Sequence, residues 1–220
     1  MGNLAQMAKN QGHEVLGVDD KVYAPMSEEL ESAGINFFEG YTSNNYRNAD
    51  LYVIGNTISR GNEILEHILK EKDKIISGPE WLYKNILKNK KVIAVSGTHG
   101  KTSVTSMIAH ALINNGENPN YLIAGIPKGF NKSWNLTESN YFVIEADEYD
   151  TAYFDKRPKF FHYNPDILLI NNIEFDHADI YKNIEEIEQN FMELVLGLPK
   201  ESVIYINSSG VKESFLDIIQ

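Results

Sequence analysis

The sequence has no cysteine, which removes disulfide frameworks, thiolate nucleophiles and Cys-ligated metal centres at once. That absence is compatible with a reducing cytoplasm. Long hydrophobic runs are also missing: no apolar stretch approaches the ~18 residues of a membrane span, and the opening MGNLAQMAKN is too polar for a secretory leader. A soluble, cytoplasmic protein without a membrane partner is expected. Basic residues are in deficit, with 20 Lys and Arg against 31 Asp and Glu and a formal charge of −11, and they form no tract. Nucleic acid is therefore not expected as a partner, because neutralising phosphates along a strand needs clustered Lys and Arg. An acidic protein still binds anions locally, through backbone N–H groups and one or two placed lysines.

What is present suits a folded chain. Hydrophobic residues make up 42% and charged residues 23% of 220 positions, enough for one large domain or two small ones. Short apolar runs read as strands at His13 to Val18, Ile35 to Phe38, Leu51 to Ile54, Val92 to Val95, Tyr121 to Ala124, Tyr141 to Ile144, Ile167 to Ile170 and Val203 to Ile206. Between them lie helix-like segments at Leu4 to Asn10, Glu28 to Ala33, Glu63 to Lys72, Glu80 to Lys88, Thr102 to Asn114 and Ile184 to Leu196. This alternation predicts an α/β fold with a mainly parallel sheet. After Leu87 the polar KNKK precedes a new apolar strand, so a domain boundary is placed near Asn89. Residues 1–89 read as a Rossmann-like unit that starts inside its first helix, and residues 90–220 as a second unit ending in the start of another helix. The expectation is that both units are partial, the first lacking its opening strand and glycine turn.

The strongest chemical signal is KKVIAVSGTHGKTSVT, in which an apolar strand runs through Gly97, Thr98, His99, Gly100, Lys101, Thr102 and Ser103 into a helix. Phosphate loops have this context: glycines let successive N–H groups face one anion, and the helix N-terminus adds partial positive charge. Lys101 is then suited to the β- and γ-phosphates of a nucleotide and Thr102 to Mg²⁺. The general Walker pattern would have glycine at position 95, where this chain has Val95. The other reading is a glycine turn with a solvated lysine.

Two further clusters follow apolar strands. In FVIEADEYD, Glu145, Asp147, Glu148 and Asp150 repel one another unless a cation sits among them; the alternative is a solvated acidic loop. In NNIEFDHAD, His177 is either a metal ligand or proton shuttle, or an ordinary surface or capping histidine. Carboxyl ends of strands are where open α/β sheets put ligands.

At these residues the chain resembles the Mur ligase family, the ATP-dependent amide ligases of peptidoglycan metabolism. The family's loop reads GTxGKT without the early glycine, as here. EADEYDTAYFDKRPKF (Glu145 to Phe160), NNIEFDHADIY (Asn171 to Tyr181), GNTISRGNEI (Gly55 to Ile64) and SGPEWL (Ser77 to Leu82) are similar to the branch whose acceptor is a murein peptide. The alanine-adding branch typically reads EADESD at the first of these.

The resemblance implies three domains: a UDP-binding one (1–89, partial), a central P-loop ATPase (90–220, partial) and a C-terminal ligase domain absent from this sequence. It also implies that the carboxylate of UDP-N-acetylmuramate attacks the γ-phosphate of ATP, and that the amine of L-alanyl-γ-D-glutamyl-meso-diaminopimelate then displaces phosphate. Lys101, Glu145 and His177 would be the catalytic residues, with Thr102, Glu145 and His177 holding Mg²⁺ and Asp176 either orienting His177 or capping. Asp19 would face the uridine, and Asn56, Ser59, Arg60 and Asn62 the diphosphate and sugar. The metal-binding carbamylated lysine of some members has no counterpart in Ile184 to Leu196, which contains no lysine. L-alanine as acceptor, or a non-catalytic nucleotide-binding role for the polypeptide alone, are the alternatives.

Overall fold

The computed structural model describes residues 1–72, 74–176 and 181–219. It divides into two compact units, residues 1–82 together with 151–156, and residues 83–150 together with 157–220.

The first unit opens with α1 (Gly2–Asn10), followed by β1 (Leu16–Asp19), α2 (Met26–Ser32), β2 (Asn36–Glu39), β3 (Tyr52–Ile54), α3 (Glu63–Glu71), β4 (Ile75–Ser77) and α4 (Gly78–Asn85). β1 pairs in parallel with β2, and β3 in parallel with β4. Ile54, Ile64, Leu65 and Ile68 form a buried cluster on which Val18, Tyr41, Ile58 and Tyr153 also pack. The first strand starts at Leu16 and not at the expected His13. The end of α1 claims those residues: Gly12 N–H bonds to Lys9 O and His13 N–H to Ala8 O, with Gly12 at φ +89°. α4 likewise begins two residues before the expected Glu80, because the Ser77 hydroxyl accepts the Glu80 N–H at 3.2 Å and so caps it from outside.

The second unit holds a six-stranded sheet. β5 (Lys91–Ser96) leads into α5 (Lys101–Asn114), then come β6 (Asn120–Leu122), β7 (Trp134–Asn135) and β8 (Tyr141–Glu145); after the paired strands β9 (Asp150–Ala152) and β10 (Asp155–Pro158), most of whose residues belong to the first unit, follow β11 (Ile167–Ile170), α6 (Ile184–Gly197), β12 (Val203–Ile206) and α7 (Glu213–Ile219). The sheet order is β12-β11-β5-β8-β6-β7, parallel except for β7. This is the mainly parallel α/β architecture that the alternating runs predict. Residues of both parities along the central strands are buried, Ile93 and Val143 as well as Val92, Ala94, Phe142 and Ile144, as expected for a sheet covered on both faces. Ala109 of α5 seals one face against Ile93, Tyr121 and Val143.

The register matters most for function. Val95 lies opposite Glu145, and Ser96 opposite Ile170, so the carboxyl ends of β5, β8 and β11 stand side by side. From β5 the chain first goes outward to β6 and later returns to the other flank at β11, which places a topological switch point at β5. Among the described residues no helix is long and apolar enough to cross a membrane.

Candidate functional site

The loop from Ser96 to Lys101 is held by the segment that follows β11. Gly97 has φ +130°, and a Cβ there would lie 2.8 Å from Asn172 O and 2.9 Å from Asn172 N, so only glycine lets the two backbones approach this closely. Thr98 N–H donates to Asn172 O (3.0 Å), and the Thr98 hydroxyl both donates to Glu174 O (3.1 Å) and accepts from Glu174 N–H (2.9 Å). Asn172 grips His99 from two directions: its Oδ1 accepts the His99 N–H at 2.7 Å and its Nδ2 donates to His99 O at 3.2 Å, joined there by Asn171 Nδ2 at 2.9 Å. The imidazole of His99 is left 57% exposed. Gly100, at φ +79°, starts α5 with no side-chain cap, and Ser103 is exposed on its first turn. The leading N–H groups of a helix have no intrahelical acceptor, so here the loop and helix start present donors of the kind an anion takes up.

Lys101 folds back over the loop. Its Nζ donates to Gly97 O (2.7 Å), Thr98 O (3.2 Å) and the Glu148 carboxylate (2.8 and 3.1 Å), with side-chain exposures of 12% for Lys101 and 2% for Glu148. One residue on, the Thr102 hydroxyl donates to Glu145 Oε1 at 3.0 Å, while Glu145 Oε2 accepts the Ala124 N–H at 3.0 Å. The four neighbouring acids do not surround a common centre. Glu148 meets Lys101, Asp147 meets Lys159 at 2.9 Å and Glu145 meets Thr102, so two lysines supply much of the positive charge that a single cation was expected to bring. Burial, with the charges of Asp147 and Glu145 nearby, pushes the Tyr163 phenol up.

The Thr102 and Glu145 oxygens fit Mg²⁺. Both are hard oxygen donors of the kind Mg²⁺ takes, and Thr102 Oγ1 and Glu145 Oε1 stand 3.0 Å apart. Among the described residues no group of three or more His, Cys, Asp or Glu is arranged to hold a metal. A site with few protein ligands is the usual magnesium arrangement, water and phosphate supplying the rest. His177 lies outside the described residues. Of the three expected catalytic residues the structure therefore brings together Lys101, at the start of α5, and Glu145, at the end of β8, linked by the bonds of Thr102 to Glu145 and of Lys101 to Glu148.

In the first unit, Asp19 ends β1 and accepts from the Tyr41 hydroxyl at 2.9 Å; burial first, and then this bond, push the Tyr41 pKa to about 12. Asn56, Ser59, Arg60 and Asn62 share the β3–α3 loop, whose Ile58 packs on the same cluster as Val18, next to Asp19. Two of them have local duties. Asn62 Oδ1 caps α3 by accepting the Leu65 N–H at 3.1 Å, and the Arg60 fork holds both oxygens of Glu66 at 2.7 and 3.1 Å. The Arg60 bonds, helped by the Gly61 N–H, hold the half-buried Glu66 carboxyl down at about 2. Sequence reasoning had Glu148 only as one of four clustered acids, without its lysine partner, and assigned nothing to Lys159, Asn171 and Asn172. The Asn-Asn pair directly after an apolar strand was a usable signal for the last two.

Residues 95–218 match the Mur ligase middle domain, and residues 1–90 match the model described as Mur ligase family, catalytic domain. The chain belongs to the Mur ligase family. It is 44% identical over 210 residues to a Haemophilus influenzae protein named UDP-N-acetylmuramate--L-alanyl-gamma-D-glutamyl-meso-2,6-diaminoheptandioate ligase, covering 95% of this chain and 46% of the relative. An Escherichia coli K12 protein of the same name is 46% identical over 205 residues, covering 93% of this chain and 45% of the relative. The crystal structure of the Neisseria meningitides ligase described as acting on UDP-N-acetylmuramate and L-alanyl-gamma-D-glutamyl-meso-diaminopimelate superposes with a TM-score of 0.91 at 45% identity, over 99% of this chain and 70% of that one. The chain thus spans somewhat less than half the length of the two curated relatives.

Proposed function

We propose that this chain is the nucleotide- and UDP-sugar-binding part of an ATP-dependent amide ligase that joins UDP-N-acetylmuramate to L-alanyl-γ-D-glutamyl-meso-diaminopimelate in peptidoglycan recycling in the cytoplasm. The observation that carries this reading is the pairing of the first residues of α5 with acids at and just beyond the end of β8, Lys101 with Glu148 and Thr102 with Glu145, inside a chain of this family. The murein peptide as acceptor is supported by the names of the two relatives at 44 and 46% identity and by Tyr149 in EADEYD, where the alanine-adding branch typically carries serine.

In this reading residues 90–220 take ATP and residues 1–89 take the UDP-sugar. The Gly97 to Ser103 backbone cradles the phosphates, and Lys101 binds the β- and γ-phosphate oxygens. Thr102 and Glu145 hold Mg²⁺ on that triphosphate, and His177 holds a second Mg²⁺. When bound, the ions screen the charge between a triphosphate and an approaching carboxylate. Such a transfer needs positioning and charge neutralisation, and no protein nucleophile is required. Asp19 faces the uridine, while Asn56, Ser59, Arg60 and Asn62 line the diphosphate and sugar side; for Arg60 this requires exchanging Glu66 for a phosphate.

The test is positional isotope exchange in γ-¹⁸O-labelled ATP with the 220-residue chain, with calorimetry of Mg–ATP and UDP-N-acetylmuramate binding. Binding of both ligands, with isotope scrambling only when the sugar is present, is the expected result. A chain that binds neither ligand would refute the proposal. In a ligation assay, turnover with L-alanine in place of the tripeptide would overturn the acceptor assignment.

A further inference from the structure

Lys101 has all of its donors engaged by the protein itself. An ammonium has three N–H donors. Two reach Gly97 O and Thr98 O, the loop's own carbonyls, and the third is taken by Glu148, whose carboxylate is almost wholly buried. Glu148 sits just beyond the end of β8, three residues after Glu145, and its backbone is fixed by the Tyr181 hydroxyl, which donates to Glu148 O at 2.7 Å. A buried carboxylate presented in this way to the phosphate-loop lysine has the charge and hydrogen-bonding character of a phosphate oxygen.

We propose that Glu148 is a displaceable phosphate surrogate: it occupies the donor of Lys101 that a bound nucleotide needs and must give way when the triphosphate enters. This rests on the nucleotide reading above. The contact has two consequences. It spares the loop a buried, unpaired ammonium, which would be costly. It also makes the loop selective, since an anion must outbid a carboxylate already in place. A Mg-bound triphosphate, with its further contacts to the loop N–H groups and to Thr102 and Glu145, does so, whereas a lone orthophosphate does not.

The test titrates the 220-residue wild type, Glu148→Gln, Lys101→Met and the double variant with Mg–AMP-PNP and, separately, with inorganic phosphate, after checking that each unfolds cooperatively. Glu148→Gln keeps the shape and removes the competing charge. Mg–AMP-PNP should bind it roughly 10- to 100-fold more tightly than wild type, the worth of one charge-assisted hydrogen bond, and inorganic phosphate should bind where it did not before. In the Lys101→Met background the same change should leave affinity unaltered, because the effect passes through the lysine. Equal or weaker binding of Mg–AMP-PNP by Glu148→Gln would overturn the proposal. A second readout needs no nucleotide: labelling of Lys101 by an amine-reactive ester, measured against exposed Lys88, should rise several-fold in Glu148→Gln. Raised labelling without nucleotide binding in any form would support Glu148 as the occupant of the Lys101 donor and refute the nucleotide reading, while unchanged labelling would refute the Glu148 proposal.

Discussion

Replacing Gly97 with alanine tests the central claim about the loop, that its shape is imposed by close backbone contact with Asn171 and Asn172. The new methyl would sit 2.8 and 2.9 Å from the O and N of Asn172 and 3.3 Å from Asn171 N, all main-chain atoms, where ordinary contact begins near 3.4 Å. Either β5 or the 171–172 segment must yield by roughly 0.6 Å, stretching the bonds from Thr98 N–H to Asn172 O (3.0 Å) and from Asn171 N–H to Ser96 O (2.9 Å). Overpacking of this kind costs about 1–3 kcal/mol, in addition to about 1–2 kcal/mol for putting a Cβ at positive φ. Gly116 is the matched control: it has φ +83° and nothing within 4 Å of an added Cβ, so only the second cost applies. Hydrogen exchange of the β5 amides of the second unit is the assay. Gly97→Ala should exceed Gly116→Ala by about 1–3 kcal/mol, some 5- to 150-fold in exchange rate, and should weaken Mg–AMP-PNP binding. Equal protection in the two variants would refute the close-contact argument.

Thr102→Val keeps the side-chain shape but removes the hydroxyl bonded to Glu145. The affinity that nucleotide gains from Mg²⁺ should fall at least about tenfold, with metal-free binding nearly unchanged, as calorimetry with and without a chelator will show; a retained Mg²⁺ effect would refute the ligand assignment. Asn62→Ala removes the cap of α3 and should cost about 1 kcal/mol, read as about fivefold faster exchange of the Leu65 amide; an unchanged rate counts against the cap. Glu66 has a depressed folded pKa, so its stabilising contribution is complete above the ordinary value of 4.5 and disappears as pH falls towards about 2. Its carboxyl ¹³C shift should titrate with a midpoint near 2, and Glu66→Gln should flatten the acid loss of α3 stability in that window. A midpoint near 4.5 would show that the Arg60 fork is not closed in solution.

The parts of the site that were legible in the sequence are those whose chemistry is local. Strand, glycine loop and helix lie within about 25 consecutive residues, so Gly97 to Ser103 could be read without the fold. Glu145 was legible because an apolar run ended at it. The partners of these groups were not. Lys101 and Glu148 are 47 residues apart, and His99 and Asn172 are 73 apart; they meet only because β5 lies between β8 and β11 in the sheet, and strand order is not written in local periodicity. The acids after β8 show the same gap: their spacing signalled mutual repulsion, but not that Lys101 and Lys159 would relieve it. Short elements were lost for a different reason. Ile75–Ser77, three residues following a helix, has no alternation to detect, and the helix after it starts at a Ser-Gly-Pro-Glu cap rather than at its first strong helix former.

His99 combines a fixed main chain with an outward side chain, and the polypeptide contains no thiol. Position 99 is therefore a natural attachment point for a reporter: His99→Cys would create the sole site for a maleimide dye, placed on the rim of the loop while asparagine side chains go on dictating the path of the backbone beneath it. Fluorescence from that one probe would follow filling and emptying of the loop in real time.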